Sequence, residues 1–262
     1  MILASVSPWA IGLTGIAALA YVLPALWRAM PAAAVRQALL AAWCVHALTI
    51  VWALAGDPPR FGFAPALSVT GWLVAGVYLV ESRMFPQLRA RAVLAALGAA
   101  ALLLALVFPG APIRSGVSPW LALHWALGIA SYGLFAAAVV HAWLLTRAEI
   151  QMRRAADTGT GVPLLTLERL TFRFVQAGFV LLSATLLAGL WFGEAGGGWR
   201  WDHKTVFSVL SWLAFALLLV GRSRFGWRGR TAVRVLYAGS LLLLLAYVGS
   251  RFVLEVILRR AA

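Results

Sequence analysis

Hydrophobic residues dominate eight stretches of the chain, at about 5–27, 34–56, 65–82, 88–108, 119–146, 170–193, 204–221 and 231–256, and polar residues gather in the short connections between them. A helix needs about 20 mostly apolar residues to cross the hydrocarbon core of a bilayer. The pattern therefore predicts an all-α integral membrane protein, a bundle of about eight transmembrane helices that makes residues 1–262 a single polytopic membrane domain. The one long connection, about 147–169, holds Asp157-Thr158-Gly159-Thr160-Gly161 and then Pro163, which reads as a flexible loop and not as a domain. No repeat at a fixed period is visible.

The positions of the cations orient the spans. Connections after the first, third, fifth and seventh spans hold fifteen arginines: Arg28 and Arg36; Arg83, Arg89 and Arg91; Arg147, Arg153, Arg154, Arg169 and Arg173; Arg222, Arg224, Arg228, Arg230 and Arg234. Connections after the second, fourth and sixth spans hold four cations: Arg60, Arg114, Arg200 and Lys204. Basic residues stay on the cytoplasmic side, so both termini are expected outside the cytoplasm, in the periplasm of a bacterial inner membrane. The first stretch has no basic residue before it, as a secretion signal would, and Arg28 follows it. An uncleaved helix is the expectation.

Composition agrees. With 63% hydrophobic and 11% charged residues and a mean hydropathy of +0.91, the chain has too little polar surface to clothe a water-soluble globule. Its net charge of +14 belongs to topology and not to nucleic acid. A single cysteine, Cys44, excludes an internal disulfide and any cysteine-based metal framework.

Candidate chemistry collects on the outer side. The sixth connection runs Trp191-Phe192-Gly193-Glu194-Ala195-Gly196-Gly197-Gly198-Trp199-Arg200-Trp201-Asp202-His203-Lys204, and its glycines permit sharp turns and close backbone approach. The fifth span opens on the same side with Trp120, His124 and Trp125, and the fourth connection adds Arg114. Trp9, Trp27, Trp52, Trp143 and Trp227 fit an interfacial aromatic belt. Trp199 and Trp201, set among glycines beside an acid, an imidazole and an ammonium group, read instead as part of a site. Aromatic faces pack a ring, imidazole ligates a metal and cations pair with carboxylates. The residues alone nominate a large, flat, anionic ligand.

Trp199-Arg200-Trp201-Asp202-His203-Lys204, followed by Phe207 and Trp212, resembles the WxWDPKE…W signature of the cytochrome c assembly proteins, the CcsA/ResC and CcmC membrane proteins that handle haem at a "WWD" loop. Leu123-His124-Trp125 leading to Ser131-Tyr132-Gly133 resembles the family's other landmark, an external histidine opening a helix. The eight-span size, Leu167-Glu168-Arg169 and Tyr247-Val248-Gly249-Ser250-Arg251-Phe252 are most similar to the small YpjD-type branch. The resemblance implies that Trp199, Trp201 and Asp202 cradle haem, that His124 is an axial ligand, and that cytochrome c assembly proteins are partners. It departs from the family in three places. His203 stands where the family has proline, Thr205 where it has glutamate, and spans seven and eight hold no histidine, with Val220 near where one would fall. Three readings follow: His203 is the second ligand, the haem is five-coordinate, or the site has drifted to another task.

Other groups complete the picture. His46, near the middle of span two, is either an internal haem ligand or a neutral imidazole bonded to a neighbouring helix. His141 is expected to bond locally near the cytoplasmic end of span five, with receipt of haem on the inside as the alternative. Glu81, Glu149 and Glu168 are expected in solvated pairs with Arg83, Arg147 and Arg169, and Glu255 with Arg251. The resulting expectation is a non-enzymatic haem-handling protein, with His124 and His203 as candidate iron ligands. The alternatives are a transporter of a small solute, disfavoured because no acid falls at the centre of a span, and a cofactor-free regulator or scaffold.

Overall fold

The computed structural model describes residues 8–27, 29–56, 58–85, 90–113, 119–153, 163–193 and 201–258. Each apolar stretch contains a helix: α1 Pro8–Leu26, α2 Ala32–Ala55, α3 Phe63–Met84, α4 Arg91–Val107, α5 Pro119–Arg153, α6 Leu164–Gly193, α7 His203–Phe225 and α8 Gly229–Leu244. Beyond α8 the chain stays helical through two π turns, Leu245–Gly249 and Val253–Ile257. Six of these helices are long and apolar enough to cross a membrane, the last counted as Gly229–Ile257. The other two, Pro8–Pro24 and Ala92–Val107, are shorter apolar helices, about 25 Å at 1.5 Å per residue, and they pack against each other as α1 and α4. Two strands, β1 Arg60–Phe61 and β2 Ala111–Pro112, pair antiparallel with Arg60 opposite Pro112 and Phe61 opposite Ala111.

The connection expected at about 147–169 is largely helix. α5 continues to Arg153 and α6 already begins at Leu164. Ala148 and Leu167 are buried while Arg147, Arg153 and Arg169 are exposed, so each extension keeps one apolar side against the core and carries its cations on the other. Glu168 does not pair with Arg169. Its carboxylate bonds Arg222, in the last turn of α7, and lies 3.5 Å from Arg228, the residue that precedes α8, while the Arg222 guanidinium sits 3.9 Å above the Phe172 ring. Arg147 lies 5.3 Å over the Trp143 ring.

The chain divides into two compact units, Met1–Ile113 with Arg251–Ala262, and Arg114–Ser250. In the first, the Trp43 and Trp72 rings stack at 4.7 Å, and each indole N–H donates to the other residue's carbonyl at 3.0 Å, joining α2 to α3. The Tyr21 ring lies on Gly98, where a Cβ would sit 3.1 Å from it. The β1–β2 strap closes one end of this unit. Gly110 (φ +81°) holds a left-handed backbone there, in direct contact with Phe61 and Gly62. Glu255, expected to pair with Arg251, lies 4.0 Å from it and also accepts from the Phe63 backbone N–H at the start of α3.

The second unit is built around one aromatic pair. Phe135 of α5 and Phe215 of α7 stack at 3.7 Å, 5° from parallel, and Gly178 of α6 and Gly239 of α8 lie against the two rings. Small residues let the outer helices approach the pair closely. Ser211 adds a hydrogen bond to the Gly239 carbonyl at 2.8 Å, and the Trp212 indole donates to the Ser183 hydroxyl at 2.9 Å. Tyr132, of the Ser-Tyr landmark, donates to the Leu243 carbonyl just before the first π turn. α7 ends in a left-handed Gly226 (φ +65°), with the Trp227 N–H bonded back to the Gly221 carbonyl at 3.0 Å.

Candidate haem-binding end of the second unit

Three helix ends fall at one end of the second unit, the start of α5, the end of α6 and the start of α7, with α6 packed against both of the others. α5 opens with Pro119, whose missing N–H costs nothing at a first helical position. Trp120 and His124 follow one turn apart and so share a face. The His124 ring reaches α6. A carbonyl can only accept, so the bond of 3.0 Å between His124 Nδ1 and the Thr185 carbonyl requires Nδ1 to carry the hydrogen. In the neutral ring Nε2 then bears the lone pair. This is the arrangement by which metal-binding histidines are oriented, the second nitrogen being fixed by a backbone carbonyl.

Small residues make that approach possible. Gly189, one turn beyond Thr185, lies under the imidazole, and a Cβ there would stand 3.3 Å from His124 Cε1. Gly128 faces the Thr185 methyl at 3.6 Å from its ideal Cβ position. Thr185 and Gly189 were not among the residues singled out from the sequence; their signal was a small-residue spacing of one turn on the helix that faces α5.

The start of α7 is set by Asp202. Its carboxylate accepts from the Thr205 N–H at 2.9 Å as an N-cap, which places His203 and Lys204 in the first helical turn. Burial raises the Asp202 pKa, but the hydrogen bonds from Thr205 and the nearby charges of Lys204 and His203 outweigh it, and the net shift is downward. Asp202 thus builds the start of α7. Indoles surround these ends: Trp120 is 54%, Trp201 71% and Trp191 81% exposed, and Trp125 is half-buried. His203 is exposed. Taking the Trp212–Ser183 bond as a common level, helical rise puts His203 roughly 5–10 Å nearer the helix ends than His124. The two imidazoles stand at different levels. Trp199, Arg200 and Arg114 lie outside the described residues.

The remaining histidines have other surroundings. His46 is 0% exposed in the first unit, with Nδ1 3.3 Å from the Tyr21 hydroxyl and Nε2 2.8 Å from the Ser68 hydroxyl. Both its nitrogens are engaged, which is the hydrogen-bonded alternative of its two readings and leaves no lone pair for a metal. His141 donates from Nδ1 to the Ala137 carbonyl one turn back, at 2.8 Å. No group of three or more His, Cys, Asp or Glu residues able to hold a metal ion occurs among the described residues.

Residues 33–258 match the family model described as Cytochrome C assembly protein. The chain belongs to the cytochrome c assembly protein family. It is 34% identical over 142 residues to the inner membrane protein YpjD of Escherichia coli (strain K12), covering 53% of this chain and 54% of that protein. An uncharacterized 28.8 kDa protein of Azospirillum brasilense is 36% identical over 155 residues, 56% of this chain and 57% of that one. The cytochrome c biogenesis protein CcsA of Prochlorococcus marinus (strain AS9601) is 39% identical over 88 residues, 33% of this chain and 28% of its own length. The chain spans about half the length of the first two relatives. No solved structure matches it. The family handles haem during cytochrome c maturation together with other assembly components; this member is a multi-pass membrane protein with several apolar helices.

Proposed function

We propose that this protein holds haem at the end of the second unit where α5 begins, α6 ends and α7 begins, and that it does so without catalysing a reaction. The observation that carries the reading is the His124 Nδ1–H bond to the Thr185 carbonyl, because it leaves Nε2 as the nitrogen able to take a metal. Haem supplies an iron that accepts a nitrogen ligand and two propionates that pair with cations. His124 offers the nitrogen. Trp120, Trp125, Trp199 and Trp201 offer apolar faces, and Arg114, Arg200 and Lys204 offer positive charge. Asp202 acts through structure, capping α7 and so fixing Trp201 and His203 relative to that helix. His203 is the second nitrogen donor in reach of the same end.

The arginine distribution supports an eight-span topology with both termini and this end of the molecule on the periplasmic side of a bacterial inner membrane. Cytochrome c assembly proteins are the partners that family membership suggests. The test is the absorption spectrum of the protein purified in detergent from haem-replete cells. A Soret band that is lost in His124→Ala and weakened in Trp201→Ala is the expected result. A colourless wild type, or a band unchanged in His124→Ala, overturns the assignment and returns the protein to the cofactor-free alternative.

A further inference from the structure

The first unit contains a site that the haem reading does not use. A cavity of about 400 Å³ lies between α1, α2, α3 and α4 beneath the strap, within the roughly 300–1,000 Å³ range of small-molecule pockets. Its walls are apolar, with Leu13, Ile50, Val69, Leu102 and Leu106 among them, and Trp52 and Phe61 add aromatic surface. Its polar groups are the hydroxyls of Thr14, Thr49 and Ser68 and the guanidinium of Arg60. Among the described residues no Asp or Glu lines it. The Thr49 hydroxyl is already spent on the His46 carbonyl at 2.7 Å.

Ser68 is the informative group, because the tautomer of His46 sets where its hydrogen points. The Tyr21 phenol is buried at 1% exposure, and a buried hydroxyl that does not donate is costly. We assign that donation to His46 Nδ1, 3.3 Å away. A neutral imidazole with Nδ1 accepting carries its hydrogen on Nε2, and Nε2 therefore donates to the Ser68 oxygen. The Ser68 O–H is then the end of a directed chain, Tyr21 to His46 to Ser68, and it is a donor at the cavity wall. A ligand with an acceptor can meet it there. Arg60 stands at the other end, on the strap, where it reaches the Gly110 carbonyl only at 3.5 Å.

We propose that this cavity binds the carbonyl-bearing ring of a membrane quinone, with one ring carbonyl accepting from Ser68. The inference goes beyond the haem reading and shares no residue with it. A quinone ring is flat, apolar and neutral, bears acceptors only, and carries an isoprenoid tail that belongs in lipid. Trp52 and Leu54 both line the cavity and are well exposed on the apolar helix α2, which gives such a tail an exit. A fatty acid fits worse. Its carboxylate would be drawn to Arg60 and its methylenes would face the Ser68 O–H, leaving a buried donor unsatisfied.

The test is equilibrium binding of a short-tailed ubiquinone to the full-length protein in lipid nanodiscs, measured against protein-free nanodiscs. Saturable binding is expected, weakened about tenfold in Ser68→Ala, as the loss of one buried hydrogen bond dictates. Ala105→Phe, which fills the cavity and leaves the Tyr21–His46–Ser68 chain untouched, is expected to abolish it. Absence of saturable binding in the wild type, or wild-type affinity in both variants, overturns the proposal. So does displacement of the quinone by oleate at lower concentration than by a tailless quinone, which would make the occupant a fatty acid. Haem content is read on the same samples. Loss of quinone binding with the Soret band intact removes this proposal alone, and the reverse result removes the haem reading alone.

Discussion

His46 and His124 each sit on a membrane-length helix, each in a different unit, and each is joined to a neighbouring helix by a hydrogen bond of about ordinary length. They differ in how many nitrogens the protein occupies. His46 has a hydroxyl on both sides and is closed off from any ligand. His124 has a backbone carbonyl on Nδ1 and keeps Nε2. The carbonyl partner matters, because it accepts only and so settles the tautomer, whereas a hydroxyl can act either way. One histidine serves the interior of its unit and hands a proton donor to a cavity wall. The other is prepared for a metal.

The sharpest way to break this comparison is a crossed pair of substitutions. His124→Ala is expected to remove the Soret band while leaving the thermal midpoint close to wild type. His46→Ala is expected to leave haem content unchanged but to cost on the order of 2–5 kcal/mol of stability, as buried large-to-small changes do, with the Tyr21 and Ser68 hydroxyls left unpaired in addition. Thermal unfolding in detergent, followed together with absorbance, reads both. If His46→Ala loses the band and His124→Ala keeps it, the roles are reversed.

A smaller effect is expected from Gly189→Val. Its side chain would enter the space of the His124 ring, since even a Cβ stands 3.3 Å from Cε1. The Soret maximum should shift or lose intensity while the protein stays folded; an unaltered spectrum would mean that the imidazole is not held there when haem is bound. Tyr21→Phe keeps the ring on Gly98 and removes only the phenolic donor, for an expected loss of about 1–2 kcal/mol and no spectral change. The smallest effect belongs to Asp202→Ala, which removes an N-cap worth about 1 kcal/mol. Because the folded Asp202 pKa is lowered, its charge contributes fully above the unfolded value of about 4 and is lost as the pH falls through the folded value. The difference in thermal midpoint between wild type and Asp202→Ala should therefore narrow between pH 7 and pH 3; a constant difference would show that the carboxylate's charge plays no part.

Much of the fold was legible because hydropathy is a property of each residue taken singly, and eight apolar stretches coincide with eight helices. The helical extensions at 147–153 and 164–169 were not, since their cations mask a buried side that only packing reveals. Glu168 was assigned to its neighbour Arg169 because adjacency is all that a sequence displays; its partners Arg222 and Arg228 lie more than fifty residues on. At the site, His124, Trp120 and Trp201 could be picked out by residue type and neighbourhood. Thr185 could not, because it acts through its carbonyl, a group every residue carries.

The order of residues alone determined that this chain lives in a bilayer, where its helices fall, and which family its tryptophan and histidine landmarks resemble. Burial, partner and tautomer were decided by the tertiary structure. Which nitrogen of a histidine is free depends on what a helix 22 or 61 residues away presents to it. Hydrogen bonds act over about 3 Å of space, and separation along the chain does not reveal them.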